Sequence, residues 1–182
     1  MEHNLSELKD RIAIFGLGYI GLPFTAALAN VGYKIIGVDI DKEKIEMLKR
    51  GDVPIYEPGL KETLEKSKNN IEYTTNSSYA VNNSECIFVT VGTPLKENNE
   101  PDYTQIDSCI ETIGKDLKKG QLIMLKSTVA IGTTEDYVMP KLESLSGLKA
   151  GEDFYLVFCP ERTIEGLALY EIYHLPKIIG GL

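Results

Sequence analysis

The chain has no tryptophan, only two histidines and only three cysteines in 182 residues. His3 and His174 are too few and too scattered for a histidine-based metal site, so no metal is expected. Cys86, Cys109 and Cys159 form no Cys-x-x-Cys pair. They make neither a disulfide framework nor a zinc site, and they fit a reducing, cytoplasmic setting. Basic residues are also in short supply, 19 against 27 acidic, for a net charge of −8. A nucleic-acid partner is disfavoured, because neutralising phosphates takes a basic surface. No linker, repeat or low-complexity tract divides the chain. Its length is that of one domain, able to bury roughly 70% of the surface its unfolded form exposes.

Long apolar runs are scarce too. One uncharged stretch, Ile12 to Tyr33, is long enough for a membrane span, and its Ala27-Leu28-Ala29 imitates a signal-peptidase site. The residues before it mix Glu2, Glu7 and Asp10 with Lys9 and Arg11, which is no positive leader. Gly16, Gly18, Gly21 and Pro23 suit a turn better than an unbroken helix. The expectation is a soluble cytoplasmic chain with no membrane partner.

What the sequence does contain is an alternation of short β-branched runs and helical patterns. Strands are predicted at Arg11–Phe15, Lys34–Asp39, Ile71–Thr74, Glu85–Val91, Gln121–Lys126, Phe154–Cys159 and Lys177–Ile179. Helices are predicted at Ile20–Asn30, Asp41–Arg50, Leu60–Ser67, Thr104–Leu117 and Thr133–Leu145, with a helical turn at Ser77–Val81. Ile106, Ile110, Ile113 and Leu117 recur at three- and four-residue steps, as one buried helix face requires. The alternation predicts an α/β fold: a Rossmann-like, doubly wound parallel sheet with helices on both faces.

Gly16-Leu17-Gly18-Tyr19-Ile20-Gly21 matches the G-x-G-x-x-G pattern, between a predicted strand and a predicted helix. Gly16 would allow the tight turn, Gly18 the approach of a pyrophosphate, and Gly21 close packing of helix on strand. The phosphates would meet the free N–H groups of the helix start. Asp39 ends the second strand, where a carboxylate accepts hydrogen bonds from the adenosine ribose and repels a 2′-phosphate. The constellation predicts NAD rather than NADP. Lys44 reads either as a diphosphate or ribose contact or as a solvated helix lysine.

Three further segments fall at predicted strand ends, where open sheets bind ligands. They are Val91-Gly92-Thr93-Pro94-Leu95, Lys126-Ser127-Thr128-Val129 and Cys159-Pro160-Glu161-Arg162-Thr163-Ile164-Glu165-Gly166. With these in order and spacing, the chain from Gly16 to Gly181 resembles the UDP-glucose/GDP-mannose dehydrogenase family. The run from Pro160 to Gly166, followed by Leu175-Pro176-Lys177-Ile178-Ile179-Gly180-Gly181, looks most like the branch acting on UDP-N-acetyl-D-mannosamine.

The resemblance implies oxidation of a UDP-sugar's 6-hydroxyl to a carboxylate with two NAD. A cysteine would capture the aldehyde, and a thioester would then be hydrolysed. It implies that Tyr19 and Ile20 lend backbone to the pyrophosphate and that Asp39 and Lys44 serve the adenosine side. Thr93 and Ser127 would lie along the cofactor. Thr128 would help hold the hydrolytic water, Glu161 would act as base through water, and Glu165 would stand near the nicotinamide. Arg162 and Thr163 would contact the sugar nucleotide.

Each role has an ordinary alternative. Thr93 could cap a turn, Ser127 and Thr128 a helix start, and Arg162 could form a surface salt bridge. Glu161 and Glu165, read as loop residues, could simply be solvated. Burial beside a substrate could raise Glu161 into a useful range for a base. None of the three cysteines matches the family's nucleophile, which the resemblance puts beyond residue 182. Residues 1–182 therefore read as the NAD-binding part of a longer enzyme, which would dimerise or assemble further through a helical region. Two rival readings are a β-hydroxyacid-type dehydrogenase domain and a non-catalytic NAD-sensing domain.

Overall fold

The structure is a computed structural model, and it describes residues 11–181. Glu2, His3, Glu7, Lys9 and Asp10 lie outside the described residues. In chain order the elements are β1 (Arg11–Phe15), α1 (Gly21–Asn30), β2 (Lys34–Val38), α2 (Lys42–Lys49), α3 (Leu60–Ser67), β3 (Ile71–Thr74) and α4 (Ser77–Asn82). Then follow β4 (Cys86–Val89), α5 (Thr104–Asp116), β5 (Leu122–Leu125), α6 (Met139–Ser146), β6 (Tyr155–Phe158), α7 (Ala168–His174) and β7 (Gly180–Gly181).

The strands form one sheet in the order β3-β2-β1-β4-β5-β6-β7. Every neighbouring pair is parallel except β6 and β7. This is the doubly wound order, with the reversal of winding between β1 and β4. The alternation of side chains along each strand splits the core in two. Ile12 and Ile14 face α1, α2, α3 and α7, where they meet Leu22, Ile45, Leu60 and the half-buried Leu169. Ala13 and Phe15 face α4, α5 and α6, where they meet Val81, Ile110 and Leu142. Parallel strands buried on both faces need continuous apolar runs, which these strands have.

The uncharged stretch from Ile12 to Tyr33 is β1, a glycine turn and α1, packed in the core. Among the described residues no helix is long and apolar enough to cross a membrane. The helix predicted at Thr133–Leu145 divides in two. Thr133–Val138 is wound with π spacing before α6 begins. Pro140 has no N–H for the carbonyl four residues back, and the wider turn accommodates it. The last strand is two residues long, antiparallel, and at Gly180–Gly181 rather than Lys177–Ile179. The segment before it is drawn off the sheet, with the Lys177 ammonium on Glu161 and the Pro176 carbonyl on Arg162.

Candidate functional site

The carboxyl ends of β1, β2 and β4 open into a cleft of about 410 Å³, lined by Gly16, Gly18, Asp39, Lys44, Thr90 and Cys109 among others. Gly16 sits at φ +92°, a left-handed conformation natural only to glycine. Its N–H donates to the Val38 carbonyl at 2.8 Å, and Thr90 Oγ1 donates to the Phe15 and Gly16 carbonyls, both at 2.8 Å. A Cβ on Gly21 would lie 1.8 Å from the Gly16 carbonyl oxygen, so only glycine lets α1 start this close to the turn. A Cβ on Gly18 would meet nothing within 4 Å. The space in front of Gly18 is open to a ligand.

Tyr19 is exposed, and Ile20 stands as the N-cap of α1 with no side-chain bond to the helix start. The first turn of α1 carries no acidic residue. Within its first turn the Leu22 N–H donates to the Gly18 carbonyl at 3.1 Å and Pro23 has no N–H, so the N–H groups offered to an anion are those of the turn up to Gly21, at the positive end of the helix dipole. An anion is what completes such a terminus. The cradle thus fits a pyrophosphate in shape and in charge.

Asp39 is buried beside it, 8% exposed. Its Oδ2 accepts the Leu17 N–H at 2.9 Å and the Lys44 ammonium at 2.6 Å, and its Oδ1 accepts the Asp41 N–H at 3.0 Å. Burial pushes the carboxyl's pKa up, but Lys44 and the two N–H groups outweigh it, and the net direction is down. Asp39 therefore remains an anion with acceptor capacity left on Oδ1. Neither reading of Lys44 describes it fully: it is the counter-ion of Asp39, its side chain one quarter exposed at the mouth of the cleft.

The ends of β4, β5 and β6 bring the remaining segments together. Thr93 Oγ1 donates to the Thr128 carbonyl at 2.8 Å. Ser127 Oγ donates to the Val91 carbonyl at 2.7 Å, and Thr128 Oγ1 to the Glu161 carbonyl at 3.5 Å. Ser127 and Thr128 thus stitch loops together rather than cap a helix. Residues 159 to 164 are irregular, as Pro160 and Gly166 lead one to expect. Glu165 is exposed there. The Arg162 guanidinium is engaged by the Pro176 carbonyl, and the Thr163 hydroxyl is buried with no partner among the described residues.

Glu161 is held as an anion in the chain by itself. Burial does push its carboxyl up, but the Arg162 N–H and the Lys177 and Lys126 ammoniums reverse the direction, so its pKa lies below the ordinary value. Lys126 and Lys177 went unassigned in the sequence. The available signal was Lys126 itself, a charge ending an apolar parallel strand, which must find an anion. Glu57 was missed as well. It is buried, and its two oxygens accept the Gly166 N–H at 2.8 Å and the Leu169 N–H at 3.2 Å. It ties the loop after β6 to the loop before α3.

All three cysteines are at least half-buried. Burial, with a smaller contribution from the Asp39 charge, pushes the Cys109 thiol up to about 12, and a protonated thiol is inert. Cys159 is buried and Cys86 half-buried. Tyr170 stacks on His174 with ring centroids 4.0 Å apart, and Tyr173 donates to the Ala27 carbonyl at 3.3 Å, while all three stay exposed on α7.

The chain matches the model of the UDP-glucose/GDP-mannose dehydrogenase family, NAD binding domain, over residues 10–182. It is 39% identical over 173 residues to a GDP-mannose 6-dehydrogenase of Pseudomonas syringae pv. syringae, covering 92% of this chain and 39% of that protein. It is 36% identical over 176 residues to a UDP-N-acetyl-D-mannosamine dehydrogenase of Pyrococcus horikoshii, covering 94% of this chain and 41% of that protein. Among solved structures, a GDP-mannose dehydrogenase ternary complex from Pseudomonas aeruginosa superposes with a TM-score of 0.91 at 36% identity, covering 94% of this chain and 41% of that one. The chain thus spans about two fifths of the length of these relatives. The glycine cradle, the buried Asp39 and these likenesses agree: the chain belongs to the UDP-glucose/GDP-mannose dehydrogenase family and is its NAD-binding domain.

Proposed function

We propose that these residues form the cofactor half of a nucleotide-sugar 6-dehydrogenase, which oxidises a sugar nucleotide's primary alcohol to the carboxylate. The observation that carries this reading is the hydrogen-bonded convergence of Thr93, Thr128 and the Glu161 backbone after β4, β5 and β6, with the β4 end tied to the glycine turn through Thr90. A domain that only senses NAD has no need of that convergence. A single-step β-hydroxyacid dehydrogenase has no need of the Glu161-Arg162-Thr163 segment.

NAD bound here supplies the hydride acceptor. Gly16, Gly18 and the N–H groups of Tyr19, Ile20 and Gly21 would hold its pyrophosphate, and Asp39 with Lys44 its adenosine ribose. Thr93, Ser127 and Glu165 would flank its nicotinamide end. Thr128 would hold the hydrolytic water, with Glu161 as base through that water. Arg162 and Thr163 would meet the sugar nucleotide, and the buried Thr163 hydroxyl, without a partner among the described residues, supports a polar ligand there.

UDP-N-acetyl-D-mannosamine is our preferred substrate, on the segment Pro160 to Gly166. GDP-mannose is the alternative, since relatives named for each sugar are similarly close, at 36% and 39% identity. The nucleophilic cysteine would lie outside residues 1–182, in a longer enzyme that assembles as a dimer or higher oligomer in the cytoplasm. The covered share of the relatives, about two fifths, supports only the greater length, and this chain alone should form no NADH from either sugar nucleotide.

The test is a crystal structure of the chain with NAD. The nicotinamide ring should lie beside Thr93 and Thr128. A nicotinamide pointing away from both would overturn the dehydrogenase reading.

A further inference from the structure

We infer that Lys126 and Lys177 are positioning residues that clamp the Glu161 carboxylate as a fixed anion between the ends of β5 and β6. The geometry stands alone; only the purpose of the clamp rests on the dehydrogenase reading above. Lys126 Nζ lies 3.2 Å from Glu161 Oε2. Lys177 Nζ lies 3.0 Å from Oε1 and 3.3 Å from Oε2. The N–H groups of Arg162 and Thr163 donate to Oε1 at 2.9 and 3.2 Å. The side chains of Lys126 and Glu161 are 2% and 3% exposed.

A lysine this deeply buried loses its proton unless an anion is at hand, and a lone carboxylate buried here would gain one. The two lysines hold the Glu161 carboxylate charged. Lys126 Nζ also donates to the Cys159 carbonyl at 3.3 Å and stands 4.2 Å from the centroid of the Phe24 ring. Lys177 faces the same ring from 5.4 Å. Phe24 of α1 thus makes an apolar floor, with its ring face toward both cations. The charged groups meeting Glu161 are Lys126 from the end of β5 and Lys177 from the segment before β7.

The arrangement has two consequences. It binds the end of β5, the loop after β6 and the segment before β7 into one unit, so the loop carrying Arg162, Thr163 and the carbonyl that receives Thr128 is fixed from its first residues. It also fills Glu161. Five donor contacts fall on a carboxylate that has about four acceptor sites. Glu161 therefore exchanges a proton with a water or a substrate only after a lysine withdraws. Lys177 is the one placed to do so, because its side chain is 25% exposed whereas that of Lys126 is sealed.

The experiment is a carbon-13 NMR titration of the Glu161 side-chain carboxyl in the full 182-residue chain, with Glu161→Gln to assign the signal. The parent is compared with Lys177→Met, Lys126→Met and Lys126→Arg. Removing either cation should lower the acid dissociation constant of Glu161 by roughly tenfold or more, the effect of an opposite charge at this distance. Lys126→Arg should restore the parent titration. A purely structural lysine would change stability and leave the carboxyl's titration where it was. If Lys126→Met does not fold, Lys177→Met decides. An acid dissociation constant within about twofold of the parent in Lys177→Met overturns the clamp. The titration needs no NAD, so it can fail while the cofactor reading stands, and the reverse.

Discussion

Lys44 Nζ meets Asp39 Oδ2 at 2.6 Å, on the same oxygen that accepts the Leu17 N–H from inside the glycine turn. One carboxylate thus joins the turn that would cradle a pyrophosphate to the strand end that would hold the ribose.

Asp39→Ala removes the anchor of both. The Leu17 and Asp41 N–H groups lose their acceptor and the ribose loses its partner. NAD affinity should fall roughly tenfold or more, the weight of a hydrogen bond to a charged group. Calorimetry giving an unchanged Kd would remove Asp39 from the ribose site.

Two glycine substitutions should separate folding from binding. Gly21→Ala drives a Cβ into the Gly16 carbonyl and should cost about 3 kcal/mol or more of stability. Gly18→Ala enters open space and should keep the parent Tm while weakening NAD, because the methyl occupies the approach of the pyrophosphate. Thermal unfolding and an NAD titration of both variants check the contrast. A destabilised Gly18→Ala that still binds NAD like the parent would contradict it.

Acid should destabilise the chain through named groups. Asp39 and Glu161 both have carboxyl pKa values lowered in the folded state. A depressed folded value contributes stability above the unfolded value, and that stability is lost as the pH falls through the folded one. The loss should therefore appear below about pH 4. Urea unfolding across that range should show a flatter acid limb in Asp39→Asn and in Glu161→Gln than in the parent. Equal slopes in all three chains would assign acid sensitivity elsewhere.

Glu57→Ala should loosen the loop after β6 without touching the glycine cradle. Its two charge-assisted bonds to Gly166 and Leu169 together stabilise by about 2 kcal/mol or more. Amide hydrogen exchange at Gly166 and Leu169 should quicken, while that in β1 should shift only with global stability. Unchanged exchange at both amides would show that Glu57 is not the tether.

The legible and illegible parts of this molecule differ in sequence distance. The glycine turn, α1 and Asp39 lie within some two dozen residues, and each follows from a local steric or hydrogen-bonding need. The strands showed themselves as apolar runs because a parallel sheet buries both faces. Glu57 meets its partner Gly166 from 109 residues away, and no local pattern marks it. Lys126 at the end of β5, Glu161 in the loop after β6 and Lys177 in the segment before β7 come from three separate stretches, and only the closed sheet makes them neighbours. The antiparallel β7 escaped for a different reason. Two glycines carry no strand propensity, and their pairing with Val157 and Phe158 is imposed by the path of the chain around Glu161.

Cys109 should resist alkylation although it lines the cleft. With the thiol pushed up to about 12, its thiolate fraction at neutral pH is roughly a thousandfold below that of a free cysteine. Iodoacetamide labelling read by mass spectrometry should leave Cys109 unmodified in the folded chain and modify it in urea.

The most direct test of the central claim is paired calorimetry of the chain with NAD and with NADP. NAD should bind with a Kd on the order of micromolar to millimolar, the usual range for such ligands. NADP should bind at least roughly tenfold more weakly, because its 2′-phosphate meets the Asp39 carboxylate. Equal affinity for the two, or no heat with NAD at all, would contradict the account.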